Sequence, residues 1–298
     1  MQRMWSLERR QLSAKKTIYL LCLFTLVLSL FSCSTILSFY KKFQVQKKLR
    51  SIPLEDRLIL DSFFRILLFK GGFAYALLGD KPMSGEYYLF ECTSLQDDCM
   101  IRYNLSRRNI LLRNGWNIWQ KYSYLFPSKS IIIQHVIKGE NGFLNFINKR
   151  NVETLFENHK SDFISKYGPS ITAKKIVKMC LDETNIGGIN YENCHDIVGM
   201  LYGFGRHNSF LYQQRDNLEE LSIKNNVAEL LNLNCTLQLF LDTHPSSLQL
   251  LSLPRFVADL SHPETIAIKK KYEKQRKEIC EYYRNGDFLE LTLRKFVE

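Results

Sequence analysis

The sequence predicts an α+β protein in which helix predominates, carried behind one N-terminal transmembrane helix. Three observations predict it. Thr17–Tyr40 is an uncharged run of 24 residues. The clearest β signal is confined to Ser130–Ile147, and from Val152 onward apolar residues recur at helical spacing between Gly, Asn and Pro. The expected organisation is a basic tail at 1–16, an anchor at 17–40, a basic linker at 41–53 and one globular domain, or two closely packed lobes, at 54–298.

At 45% hydrophobic and 13% aromatic residues, the chain has enough apolar surface for a real core. Its charge is unevenly placed. Residues 1–16 carry a net +4 and residues 41–50 a net +5, which leaves only +2 of the total +11 for the rest. A nucleic-acid-binding domain carries its own basic patch, because phosphate neutralisation supplies most of its affinity. Nucleic acid is therefore not an expected partner.

The uncharged run TIYLLCLFTLVLSLFSCSTILSFY would extend about 36 Å as a helix, enough for a hydrocarbon core of roughly 30 Å. It shows no polar stripe of the kind a buried soluble helix carries. A cleaved signal peptide has a shorter apolar region. Leu30-Phe31-Ser32-Cys33 approximates a bacterial lipobox, which makes Cys33 a possible lipidation site, although Phe31 is bulky for that motif. Continuation of the run past Cys33 favours an uncleaved signal anchor, and the lipoprotein alternative stays open. Each flank holds five Lys/Arg, so the positive-inside rule does not decide orientation. The short tail before the run suggests a domain on the non-cytoplasmic side.

Within the domain, Leu58, Ile59, Phe63, Ile66 and Leu67 give Leu54–Lys70 one helical face. Gly71-Gly72 and Gly79-Asp80-Lys81-Pro82 read as turns around Phe73–Leu78, where a short strand is one expectation; Glu86–Phe90 is another. Ser106–Phe126 reads as an amphipathic helix, interrupted or bent at Gly115. Ser130–Ile137 and Phe143–Ile147 flank a connection ending in Asn141-Gly142, a hairpin signature. The small sheet so formed should have its apolar face covered by the first two helices. Helices are then expected at Val152–Tyr167, Ala173–Leu181, Tyr191–Tyr202, Phe210–Leu221 and Val227–Leu231; the one β-like run in this half is Pro254–Leu260. Ser261-His262-Pro263-Glu264 has the form of a capping box opening a last long helix, with Ile268, Tyr272, Ile279 and Tyr283 on its apolar face. Its basic stretch KKKYEKQRKE is balanced by Glu264, Glu273, Glu278 and Glu281, as on a solvated face.

Six cysteines lie in the domain. An even number suits an exported, disulfide-bearing domain, with Cys92–Cys99 and Cys180–Cys194 as possible local pairs. Buried thiols are the alternative. No CxxC pair is present and His195, beside Cys194, has no partner at ligand spacing, so neither a metal nor another cofactor is expected.

The chain has no G-x-S-x-G, H-E-x-x-H, P-loop or dinucleotide fingerprint. Its most distinctive cluster is Tyr202-Gly203-Phe204-Gly205-Arg206-His207-Asn208. Two glycines one residue apart permit positive φ or close backbone approach, and Arg206, His207 and Asn208 could line a ligand pocket. The plainer reading is a glycine-capped helix end with cations near the negative dipole.

Three stretches carry a resemblance: Phe73–Met83 (FAYALLGDKPM), Leu201–Asn208 (LYGFGRHN) and Phe256–Tyr272 with its Glu264-Thr265 and Lys-Lys-Tyr. With the N-terminal anchor, they resemble a family of uncharacterised membrane-anchored or lipoprotein-like proteins of Chlamydia and related intracellular bacteria. That resemblance implies a bacterial single-pass membrane protein and no catalytic residues. The function expected is a non-enzymatic envelope or host-interface protein whose domain binds a protein partner at the membrane, with exposed apolar patches and no deep polar cleft. The competing expectation is a membrane-tethered hydrolase or transferase whose side chains converge from distant positions, beginning with Arg206, His207, Asn208 and the Lys81 turn.

Overall fold

A computed structural model describes residues 39–70, 72–89, 99–138, 141–182, 194–225, 237–239, 251, 253–254, 256–284 and 286–298. Most of the anchor run, with Cys33, lies outside these residues, as do Cys92, Gly71 and the expected helix at Val227–Leu231. Among the described residues no helix is long and apolar enough to cross a membrane. The chain divides into two units, Met1–Ser51 and Ile52–Glu298. In the first, α1 (39–50) ends where Ser51 turns both its amide and its hydroxyl onto the Lys48 carbonyl.

The second unit begins with α2 (Leu54–Arg65), whose Glu55 and Asp56 in the first turn and Arg65 in the last complement the helix dipole. A π-helical turn, Ile66–Lys70, continues it. Phe73–Leu78 is not a strand. Ala76 and Leu77 donate back to the Phe73 carbonyl and form the short α3 (Ala74–Leu77), with all four residues buried. A short, wholly apolar run does not distinguish the two periods, and local hydrogen bonds decided for helix. β1 (Met83–Leu89) lies over the second expected strand.

α4 (Cys99–Tyr122) runs through Gly115 and ends in a 3-10 turn, Ser123–Leu125. Gly115 is a packing contact and not a break, since a Cβ there would overlap the Phe63 side chain of α2. β2 (Ile131–Lys138) and β3 (Asn141–Asn148) form the expected antiparallel hairpin, with Ile132 opposite Ile147 and Val136 opposite Phe143. Lys138 pairs with Asn141, so the connection is two residues long, and Asn141-Gly142 belongs to the strand. Gly142 is needed there because the Tyr88 ring occupies the space a Cβ would take.

The sheet order is β1-β3-β2, antiparallel throughout. Helices cover both of its faces, where one covered face was expected. On one, Phe146 meets Phe73 and Phe296 while Trp116 of α4 meets His135. On the other, Met83 and Ile147 join a core with Val152, Phe156, Phe163, Ile176, Ile197 and Leu201. That core is built by α5 (Lys149–Asn158), α6 (Lys160–Tyr167), α7 (Ala173–Cys180) and α8 (His195–Leu201). Asn148 accepts from the Asn151 amide to cap α5, and Thr172 accepts from Lys175 to cap α7.

α9 (Arg206–Asn225), α10 (Pro263–Arg284) and α11 (Phe288–Val297) complete the helices among the described residues. A second sheet of two short antiparallel strands, β4 (Leu237–Leu239) and β5 (Val257–Asp259), stands in the C-terminal half, so strands are not confined to the first half. α11 answers to no expected element: six of its ten residues are buried, and Phe296 packs on Phe64, Trp119 and Phe146.

Candidate functional site

Four stretches distant in sequence meet around a cleft of about 210 Å³, one of them α5 with Asn151, Thr154, Leu155 and Asn158 and the His159 that follows it. The first wall is the turn 79–82. Asn151 at the start of α5 donates its amide to the carbonyls of Gly79 (3.0 Å) and Lys81 (3.1 Å), and the Asn148 amide donates to Pro82 (2.8 Å). The Asp80 carboxylate faces α10, pairing with Lys271 (3.2 Å) and accepting from Gln275 (2.7 Å).

The second wall is the α8–α9 corner. The Phe204 amide donates to Gly199 and the Gly203 amide to Met200, both at 2.9 Å, which is a Schellman ending with Gly203 at φ +77°. Gly205, at φ +84°, precedes α9. Both glycines also let α10 approach. A Cβ on Gly203 would overlap the Tyr272 hydroxyl, which donates to the Gly203 carbonyl at 2.9 Å, and one on Gly205 would overlap Ile268. The helix-cap reading of these glycines therefore holds, but with Arg206 at the start of α9, not at the end of α8.

The third wall is the first turn of α10, and here the capping box does not form. Glu264 accepts from the backbone amides of Arg206 (2.9 Å) and His207 (2.6 Å), so it caps α9 and not its own helix. Ser261 donates its hydroxyl to Asp259 (2.6 Å), and the Glu264 amide donates to His262 Nδ1 (3.3 Å). The spacing of a capping box is present, but a carboxylate that reaches two orphan amides of a neighbouring helix gains more than one that reaches back to a single amide.

Arg206, His207 and Asn208 diverge, because successive helical residues point about 100° apart. Arg206 lines the cleft, holds Asp162 bidentately at 2.7 and 2.8 Å and lies over the Phe210 ring. This guanidinium keeps the Asp162 carboxyl below its ordinary range, while His159 Nδ1 stands 3.7 Å from the same carboxylate. His207 turns the other way. Its ring lies parallel to that of His262 with centroids 3.4 Å apart, and its Nε2 is 3.4 Å from Asp259. Asn208 is buried and purely architectural: it donates to Phe204 and Thr265 and accepts from the Asp259 amide and Thr265. The three do not form one pocket.

Lys81 is 94% buried, as its 6% exposure records. Its Nζ sits 6.0 Å from the centre of the Tyr202 ring, and no carboxylate among the described residues pairs with it. Burial pushes its ammonium down to about 7. A polar pair that the sequence did not signal lies on the opposite face of the sheet, where the Tyr88 hydroxyl and His135 Nε2 are 2.5 Å apart beside Trp116. Burial raises Tyr88 to about 12 and lowers His135.

Cys180 and Cys194 are free thiols, which removes the second of the two possible disulfides; burial raises the Cys180 thiol to about 12. Cys99 opens α4. Among the described residues no group of three or more His, Cys, Asp or Glu could hold a metal ion. Where exposed apolar patches and no deep polar cleft were expected, Asp80, His159, Arg206, Glu264 and Lys271 line this cleft of mixed polar and apolar residues. No protein-family model, curated protein or solved structure matches the chain.

Proposed function

We propose that this chain is a single-pass, membrane-tethered binding protein of an intracellular bacterium's envelope, and that its domain recognises a protein partner through the cleft between the 79–82 turn, the α8–α9 corner and α10. One observation carries the reading. The charged groups of the cleft are engaged in place, Arg206 with Asp162, Lys271 with Asp80 and Glu264 with two backbone amides. Such fixed charges of both signs form a preorganised recognition surface, whose contribution is specificity more than proton transfer. The cleft replaces the apolar patch as the place of contact.

The test uses the full chain in its own membranes, with a photo-crosslinking side chain at Thr154 or Lys271 in the cleft or at Lys277 on the far side of α10. The expected result is one discrete protein adduct from the cleft positions, abolished by Arg206→Gln and absent from Lys277. Equal labelling from all three positions would defeat the reading. A tethered hydrolase or transferase remains the second reading, favoured by the 3.4 Å approach of His207 to Asp259 beside His262. It requires substrate turnover that His207→Gln removes.

A further inference from the structure

Residues 41–50 carry Lys41, Lys42, Lys47, Lys48 and Arg50 and no acid, and they fall within α1. The helix also bears three aromatic rings that face water: Phe39, Tyr40 and Phe43 are 73%, 58% and 55% exposed. Helical spacing sorts these residues. At about 100° per residue, Phe39, Phe43, Lys47 and Arg50 fall within a sector of roughly 80°, with Tyr40 about 20° beyond one edge and Lys42 about 60° beyond the other. Rings and cations therefore share one surface, the rings toward the N-terminal end and Lys47 and Arg50 toward the other. A face meant only for solvent gains nothing from three large rings, and a core face would exclude the cations.

We infer that this surface of α1 lies in the headgroup layer of an anionic phospholipid membrane, with Phe39, Tyr40 and Phe43 immersed at the acyl boundary and Lys42, Lys47 and Arg50 against the phosphates. The inference rests on the membrane-tethering reading and names what the linker does once the tether is in place. Aromatic rings settle at the water–hydrocarbon boundary because one side of that environment is apolar and the other polar. Basic side chains on the same face add attraction to anionic lipid, and their long stems reach past the rings to the phosphates. The position fits, since Tyr40 closes the uncharged run Thr17–Tyr40 and holds the start of this face at the bilayer edge. Twelve helical residues then cover about 18 Å of membrane surface.

The experiment places full-length chain carrying Phe43→Trp in vesicles of phosphatidylcholine alone, or with about a quarter phosphatidylglycerol, each made with and without brominated acyl chains. The unsubstituted chain supplies the tryptophan background. The expected result is bromine quenching of the added tryptophan that is at least about twofold stronger with phosphatidylglycerol present, and that returns to the phosphatidylcholine level when Lys42, Lys47 and Arg50 are changed to Gln. A chain that floats with both vesicles while position 43 stays unquenched overturns this inference and leaves the tether intact. A chain that floats with neither overturns the tether and the inference with it. Shielding of position 43 that depends on protein concentration and not on phosphatidylglycerol would assign the face to a second copy of the chain, again against the proposal.

Discussion

Replacing Lys81 by Met should raise stability at neutral pH and remove a pH dependence that the parent chain shows. Met keeps the length of the stem against Gly203 and discards an amine that no acid among the described residues pairs with. The folded-state value of about 7 lies below the 10.5 of a free lysine. The unfolded chain thus binds the extra proton through that window, and stability rises with pH between the two values. Worked through the two binding curves, this single group adds roughly 2 kcal/mol of stability between pH 7 and pH 9, within a ceiling of about 1.4 kcal/mol per pH unit. Urea unfolding of the full chain in detergent micelles, followed by the fluorescence of Trp116 and Trp119, measures it. The parent should gain that amount over Lys81→Met across the interval, and the variant should be the more stable at pH 7. Parallel pH profiles for the two chains, or a variant weaker than the parent at pH 7, would refute the reasoning and mean that the amine is well solvated or bonded.

The remaining predictions concern packing and caps and are read from the same unfolding curves. Gly203→Ala forces a side chain into positive φ and displaces the Tyr272 hydroxyl, so it should cost about 2–3 kcal/mol. Glu264→Ala leaves two amides of α9 without their acceptor and should cost about 1–2 kcal/mol, whereas Ser261→Ala should cost about 0.5 kcal/mol or less; equal losses would restore the capping box. Gly115→Ala would gain about 1 kcal/mol by helix propensity alone, but crowding Phe63 in a packed core costs about 1–3 kcal/mol, so a net loss is expected. Arg206→Gln, at an exposed ion pair, should change stability by no more than about 1 kcal/mol at neutral pH. Because Asp162 is depressed in the fold, the parent's small advantage should vanish as pH falls below the ordinary carboxylate range.

What could be read from the sequence was whatever the chain decides locally. The Ile- and Val-rich run at 131–137 could satisfy its pleat only by pairing with Phe143–Ile147, and α2 and α10 showed their apolar faces at helical spacing. α11 was missed even though Glu290, Arg294 and Lys295 leave its apolar residues on one helical face, so the signal was present in these ten residues. α3 was ambiguous because four consecutive apolar residues satisfy either period. The cleft was illegible for a different reason. Its walls come from separate stretches near 80, 151–159, 200–206 and 264–272, and no local spacing encodes their meeting. Arg206 alone of the three residues singled out reaches it, and the partner that fixes it, Asp162, sits 44 positions away.

The place of α11 has a consequence for how the protein is made. Phe296 packs against Phe64 and Phe146, and Gln275 reaches back 195 positions to Asp80, so the earliest segments of the unit are completed by its latest. Loop closure over such spans must precede the contacts that reward it, and a nascent chain lacking residues 288–297 leaves the rings of Phe64, Trp119 and Phe146 short of a neighbour. The unit thus stays short of its native packing until residues 288–297 have been made. On the proposal that the chain is tethered with its domain across the membrane, this delay would help, because an extended chain passes a translocation pore where a folded one would jam.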